Sequence, residues 1–309
     1  MRALCLIGLL AIIPSAKARE ITLQAPPGEL HGTLLTADNG SPAILMIAGS
    51  GPTDRNGNNP AGLNCNTYKM LAEGLAAKGI SSLRYDKRGI AQSRGAMVAE
   101  SELRIETYAD DASAMAAELR RQTGKKCVWV MGHSEGAILA ELMAQRPQGL
   151  CGLVLVSGAG RKEADVMREQ FQSAFPDTLR PAALQALGEL EAGHTVANPP
   201  PPPALFRPSL QPFLISWLAK DPAELLKAIR LPVLILQGDT DIQVSVADAK
   251  ALSTAKPDAK LTIFAGVNHI LKAAPADRAA NIATYADPNL PLAPGVVDAV
   301  ADFVHEHDR

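Results

Sequence analysis

The sequence lacks an excess of charge of either sign: 30 lysines and arginines stand against 32 aspartates and glutamates, a formal net charge of −2. A surface that grips a polyanion needs a basic excess, so this balance argues against nucleic acid as a partner. Cysteine is scarce, four in 309 residues. No Cys–His group has the spacing of a structural zinc site, so no metal is expected. No internal repeat is visible either. What the chain does have is apolar material, 47% of its residues. That is enough for one large α/β domain with an embedded subdomain, or at most two ordinary domains.

The first residues read as an export signal. Arg2 supplies the positive start, Ala3 to Ile13 is an unbroken apolar run, and Ala16-Lys17-Ala18 fits the small-x-small cleavage rule. The run is too short for a permanent membrane anchor, and Cys5 lies inside it, which does not suit a lipid attachment. Residues 1–18 are therefore expected to be removed, leaving a periplasmic or secreted protein that begins near Arg19. Cys65, Cys127 and Cys151 remain. Cys127 and Cys151 each open an apolar, strand-like run, so two readings stand side by side: a disulfide between neighbouring parallel strands, or buried free thiols.

Along the chain, short apolar runs alternate with amphipathic stretches. Strands are expected at Ile21–Leu23, Leu30–Leu35, Ala43–Ile47, Ser81–Tyr85, Val128–Met131, Leu153–Val156, Val233–Gln237 and Lys260–Phe264. Helices are expected at Tyr68–Ala77, Tyr108–Arg121, Ser134–Gln145 and Val296–His305. This alternation implies an α/β fold, a mostly parallel central sheet with helices on both faces. Between about 159 and 231 the alternation stops. Met167, Phe171 and Phe175 fall four apart, and Leu210, Phe213, Leu214, Trp217 and Leu218 follow helical spacing. Five prolines, Pro199 to Pro203, favour a stiff extended linker within this segment. The segment reads as a helical cap over the sheet's C-terminal edge.

The most informative stretch is Val128-Trp129-Val130-Met131-Gly132-His133-Ser134-Glu135-Gly136-Ala137. It is a strand, then Gly-x-Ser-x-Gly, then a helix. A serine on so tight a turn takes a strained backbone conformation and is pushed out of the sheet edge. Gly132 and Gly136 fit where the chain crosses itself too closely for side chains. The helix N-terminus then aims its amides at the reacting atoms. Ser134 is the expected nucleophile.

Serine needs a base to take its proton. His133 adjoins Ser134 but points away from it on such a turn. His305 and His307 sit in a polar tail, His194 in the cap, and His31 in a leading strand. His269 follows the strand ending at Phe264, at the edge where ligand chemistry gathers in open α/β sheets, and is the expected base. The orienting acid belongs after an earlier strand. Gly238-Asp239-Thr240-Asp241-Ile242-Gln243-Val244 offers Asp241 on Gly-x-x-Asp-x-x-Val spacing, with Asp239 as turn former. The order Ser…Asp…His suits Asp241. The oxyanion donors are expected to be the N–H of Glu135 and, from the glycine-rich turn after Ala43–Ile47, that of Ser50, with Gly51 as the alternative.

These residues resemble the α/β-hydrolase superfamily. Gly132-His133-Ser134-Glu135-Gly136, Asp241 and His269 look like its triad. Asp86-Lys87-Arg88-Gly89-Ile90-Ala91-Gln92-Ser93 is similar to its Asp-x-Arg-Gly-x-Gly-x-Ser stretch, with Ala91 in place of a glycine. Ile47-Ala48-Gly49-Ser50-Gly51-Pro52-Thr53-Asp54-Arg55 resembles the oxyanion segment of bacterial exported carboxylesterases related to the serine-aminopeptidase branch, with Ala48-Gly49 where many have His-Gly. The resemblance implies hydrolysis of a small-molecule carboxylic ester through an acyl-enzyme, with no metal or organic cofactor. The apolar residues Leu210, Phe213, Leu214 and Trp217 offer a wall for the substrate, although packing of the core is the plainer use for most of them.

Two other functions compete with this one. The same triad serves a peptidase or amidase, and Glu163, Asp165, Glu169, Glu189 and Glu191 in the cap offer acids for an amino terminus. A non-catalytic binding protein on the same fold is the reading from another class; the presence of Ser134, Asp241 and His269 together argues against it.

Overall fold

The computed structural model describes residues 17–38 and 40–308. Most of the expected signal, residues 1–16, lies outside them. Lys17 and Ala18 open the first strand, paired with Thr36 and Leu35.

Eight strands form one sheet: β1 (Lys17–Ala25), β2 (Gly28–Thr36), β3 (Ala43–Ile47), β4 (Ser81–Tyr85), β5 (Val128–His133), β6 (Leu150–Val156), β7 (Val233–Gly238) and β8 (Lys260–Phe264), in the order β1-β2-β4-β3-β5-β6-β7-β8. β1 pairs with β2, and β2 with β4, in antiparallel fashion; every other pairing is parallel. β1 and β2 form the hairpin that turns at Pro26-Pro27. The central strands are apolar on both faces because helices cover both. Leu45, Ile47, Val130, Leu155 and Ile235 point into one core, while Ile44, Met46, Trp129, Met131, Val154 and Leu236 point into the other. That alternation is the strand period of two.

Helix α1 (Thr67–Ala77) covers the second face through Leu71 and Leu75. Helices α2 (Ile105–Thr123) and α3 (Glu135–Ala144) cover the first through Met115, Leu119, Leu139 and Met143. Helix α2 stops at Gly124, whose left-handed φ of 69° suits glycine and lets its N–H bond Arg120 O at 2.8 Å.

After β6 come α4 (Glu163–Ala174), α5 (Arg180–Glu191), α6 (Pro203–Phe206), α7 (Gln211–Leu218) and α8 (Pro222–Lys227). Phe171, Leu187, Phe206, Phe213 and Leu214 from this layer join the first core without a break. Its near end is tied down by Arg161, which reaches Asp248 at 2.8 Å and Glu169 at 2.6 Å. The proline tract is not extended throughout. Pro203 starts α6, as proline can at a helix's first position, where no N–H is needed.

Two further helices escaped the sequence reading: α9 (Val246–Ala255), between β7 and β8, and α10 (Arg278–Ala283). Their apolar residues are mostly alanine, with few large side chains, so their helical period is faint. The chain closes with α11 (Val296–His307), which packs Val300, Phe303 and Val304 on the second face. Cys127 and Cys151 are joined, with Cα atoms 5.2 Å apart, and Cys65 is a buried free thiol. Among the described residues no helix is long and apolar enough to cross a membrane.

Strand order reverses between β3 and β5: from β3 the chain moves outward to β4, and from β5 it moves the other way to β6. Such a switch leaves a crevice at the strands' C-terminal ends. The turns holding Ser50 and Ser134 leave this edge side by side.

Candidate active site

Ser134 sits between β5 and α3 with φ 55° and ψ −120°, a conformation that costs an L-residue energy and is kept only where its surroundings enforce it. The glycines explain how. A Cβ on Gly132 would lie 1.9 Å from Gly136 O, and one on Gly136 would lie 2.4 Å from Ile47 O. The elbow is therefore closed on itself and pressed against β3. A Cβ on Gly49 would stand 3.2 Å from Ser134, so the turn after β3 also needs a bare backbone to come this close.

His269 lies in the loop after β8, and Asp241 in the turn after β7. Their side chains meet: His269 Nδ1–H donates to Asp241 Oδ2 at 2.8 Å, with both side chains buried. Asp241 Oδ1 accepts the N–H groups of Gln243 at 2.8 Å and Val244 at 3.0 Å, and Gln237 Nε2 donates to Oδ2 at 3.1 Å. Burial pushes the Asp241 carboxyl up, but the charge and hydrogen bond of His269 and the two amides outweigh it and hold the carboxyl below its ordinary range. With Nδ1 committed, His269 keeps Nε2 for the cavity it shares with Ser134. No hydrogen bond joins Ser134 and His269 among the described residues; in ligand-free sites such bonds commonly tighten only when substrate binds.

The approach of the two loops is again a matter of glycine, since a Cβ on Gly238 would meet Val267 O at 2.0 Å. Asp239 acts within its turn, accepting Gly266 N–H at 2.6 Å. The base loop is held by Asn268, which donates to Thr284 Oγ1 at 2.8 Å and accepts Lys272 N–H at 3.0 Å.

His133 points away from Ser134, into a chain of hydrogen bonds that the sequence did not reveal. Its Nε2 bonds the carbonyl of His269 at 2.7 Å, so Nε2 carries the proton. Nδ1 then accepts from Tyr68 O–H at 2.8 Å, and Tyr68 O accepts Gly49 N–H at 3.0 Å. Burial, with His269 nearby, lowers the His133 imidazole to about 3, so it stays neutral. Burial likewise raises the Tyr68 phenol, which keeps its proton. This relay ties the turn after β3 to the loop of His269.

The Asp86-Lys87-Arg88 stretch divides its charges among three tasks. Asp86 accepts Arg55 N–H at 2.8 Å and Gln92 N–H at 3.2 Å, fixing the loop that follows Ser50. Arg88 forms a two-pronged pair with Asp111 at 2.9 and 2.7 Å. Lys87 Nζ donates to Gly49 O at 2.7 Å and to Glu135 Oε1 at 2.5 Å, with both side chains buried. Among the described residues the N–H of Ser50 meets no acceptor, and that of Glu135 stands in the first turn of α3, where no intrahelical partner exists.

Two cavities flank Ser134. The smaller, about 220 Å³, has walls of mixed polarity that include Thr53, Asn59, Leu63, Tyr68, Ile270 and Tyr285, and it holds His269. The larger, about 640 Å³, lies under the helices after β6 and is mainly apolar, with Met167, Leu210, Phe213, Leu214 and Trp217 among its walls. The apolar residues of α7 thus both pack the core and line this chamber. Glu163 faces it with no hydrogen-bond partner among the described residues; burial, then Glu135 and Asp248, raises its carboxyl to about 8. The remaining histidines lie elsewhere: His31 near Glu29, His194 exposed beside Glu189, His305 on Lys78 O and His307 on Phe303 O. Among the described residues no cluster of His, Cys, Asp or Glu has the form of a metal site.

Residues 61–206 match the family model described as serine aminopeptidase, S33. The chain is 29% identical over 262 residues to esterase EstD of Thermotoga maritima, covering 83% of this chain but 60% of that protein, less than two thirds of its length. Its fold is similar to that of the Pyrococcus furiosus esterase Pf2001, with a TM-score of 0.59, 14% identity, and 95% and 93% of the two chains covered. A thermophilic esterase from Thermogutta terrifontis, solved with malate bound, gives a TM-score of 0.58 at 18% identity, covering 95% of this chain and 100% of that one. With eight strands in this order, parallel pairings from β3 onward and these structural likenesses, the chain has the α/β-hydrolase fold.

Proposed function

We propose that the protein is a serine carboxylesterase, with Ser134 as nucleophile, His269 as base and Asp241 as the acid that orients it. The observation that carries this reading is the strained turn at Ser134 and an Asp241–His269 pair whose histidine lines the same cavity as Ser134. Ser134 Oγ attacks the ester carbonyl while His269 Nε2 takes its proton. The oxygen that becomes negative is received by the N–H groups of Ser50 and Glu135. Asp241 stabilises the imidazolium and keeps its tautomer. His269 then protonates the departing alkoxide, and a water activated by the same nitrogen releases the acyl group.

Proton transfer also orients the substrate. The alcohol must leave on the side of His269, where the cavity is small and of mixed polarity. The acyl group then occupies the large apolar chamber that His269 does not line. Esters with a medium or long acyl chain and a small alcohol are the favoured class. The N-terminal apolar run supports export to the periplasm or beyond, and the joined Cys127–Cys151 pair is in keeping with an oxidising compartment.

p-Nitrophenyl esters of increasing acyl length, with aminoacyl-p-nitroanilides alongside, test the assignment. Turnover that rises with acyl length and vanishes in Ser134→Ala supports the esterase. Anilide cleavage exceeding ester cleavage would replace it with a peptidase, the activity named by the matching family model.

A further inference from the structure

The buried Lys87–Glu135 pair has no evident use in folding. Two charges taken out of water gain little over well-packed apolar residues of the same size, so such a pair is weak evidence for stability. Its position is more telling. One ammonium touches the side chain of Glu135, one of the expected oxyanion donors, at 2.5 Å and the carbonyl of Gly49, the residue before the other, at 2.7 Å. That carbonyl belongs to the same peptide unit as the N–H of Ser50. In a planar trans peptide the two point in opposite directions, so holding the oxygen fixes the direction of the N–H. The preceding peptide is held as well, because Gly49 N–H donates to Tyr68 O at 3.0 Å. Glycine at this position has no side chain to restrict rotation, and without both anchors the Gly49–Ser50 peptide is free to turn.

We propose that Lys87 is the positioning residue of the oxyanion hole, holding the Gly49–Ser50 peptide so that the Ser50 N–H faces the cavity of Ser134. Its pairing with Glu135 binds the two donor segments, one after β3 and one after β5, to a single charged group. The ammonium lies 5.1 Å from the centre of the Tyr108 ring, which walls it in on another side. Lys87 touches no reacting atom; it acts through the peptide it holds. The inference rests on the acyl-transfer reading given above.

The test uses Lys87→Met and the double variant Lys87→Met/Glu135→Gln on the full chain. The single variant leaves a carboxylate buried alone and is expected to lose stability. The double variant removes both charges and is expected to recover the unfolding midpoint. With the preferred p-nitrophenyl ester, both are expected to lose about 10²–10³-fold in kcat, the cost of one oxyanion donor, with KM within about threefold of wild type. Affinity for a phenylboronic acid, whose adduct on Ser134 carries the tetrahedral oxygen, is expected to fall in parallel. A folded double variant with wild-type kcat and boronate affinity overturns the proposal, as does a loss carried entirely by KM. Absence of Ser134-dependent turnover in the wild-type protein would instead overturn the acyl-transfer reading beneath it.

Discussion

Acid should destabilise this protein through His133, a residue beside the nucleophile but outside the proposed chemistry. In the folded chain its imidazole stays neutral down to about 3, because burial and the neighbouring His269 outweigh the hydrogen bond to the carbonyl of His269 and the charge of Asp241. In the unfolded chain it takes up a proton near its ordinary 6.5. Below that value the unfolded state binds the extra proton and gains free energy, so the stability contributed by the neutral histidine is complete above about pH 7 and lost as pH falls from 6.5 toward 3. Each unit below 6.5 is worth about 1.4 kcal/mol, which amounts to about 2 kcal/mol between pH 7 and pH 5. His133→Gln removes the proton uptake while its amide can still donate to His269 O and accept from Tyr68. Urea unfolding of both proteins at pH 5, 6 and 7 measures the difference. The wild type should lose about 2 kcal/mol more than the variant over this range. Equal losses in the two proteins would refute the reasoning and place the source of acid sensitivity elsewhere.

Other perturbations have equally definite outcomes. Asp241→Asn should lower kcat by about 10³–10⁴-fold with little change in the unfolding midpoint, because the amide no longer selects the Nδ1–H tautomer of His269; steady-state kinetics with a thermal melt checks both. Gly136→Ala places a methyl 2.4 Å from Ile47 O, and should cost about 1–3 kcal/mol or prevent folding, read by denaturation or soluble yield. Replacing Cys127 and Cys151 together by serine opens a closure spanning 24 residues and should cost about 3 kcal/mol in urea unfolding, with kcat unchanged because the pair lies at the far, N-terminal ends of β5 and β6.

Much of this molecule is written locally. β3 and β4 follow directly from Ala43–Ile47 and Ser81–Tyr85, since five residues between turn signals, apolar or small in all but Arg84, have one comfortable conformation. The turn at Ser134 is legible because its glycines are a steric need within five residues of sequence. Asp241 and His269 are placed at the sheet edge by the strands before them. What escaped the sequence depends on partners far along the chain. Tyr68 meets Gly49 across 19 residues, and Lys87 meets Gly49 across 38 and Glu135 across 48. Nothing in Asp86-Lys87-Arg88 alone says which carbonyl the lysine will reach; the register of β3, β4 and β5 decides it. Helix α9 was missed for a different reason. Only Ala249 and Leu252 among its apolar residues are deeply buried, too few to mark a period. The chamber needs α4, α6 and α7 packed together; its wall at Leu210, Phe213, Leu214 and Trp217 is visible in the sequence, while Met167 and Leu205 read there as ordinary core.

The central claim is that Ser134 forms an acyl-enzyme with the help of His269 and Asp241. Mass spectrometry of the protein mixed with a p-nitrophenyl ester and quenched within the first turnover tests it most directly. The account predicts one acyl group added per chain, mapped to the peptide containing Ser134, absent in Ser134→Ala and accumulating far more slowly in His269→Ala. Turnover with no covalent adduct in the wild-type protein, or an adduct on another residue that survives Ser134→Ala, would contradict it.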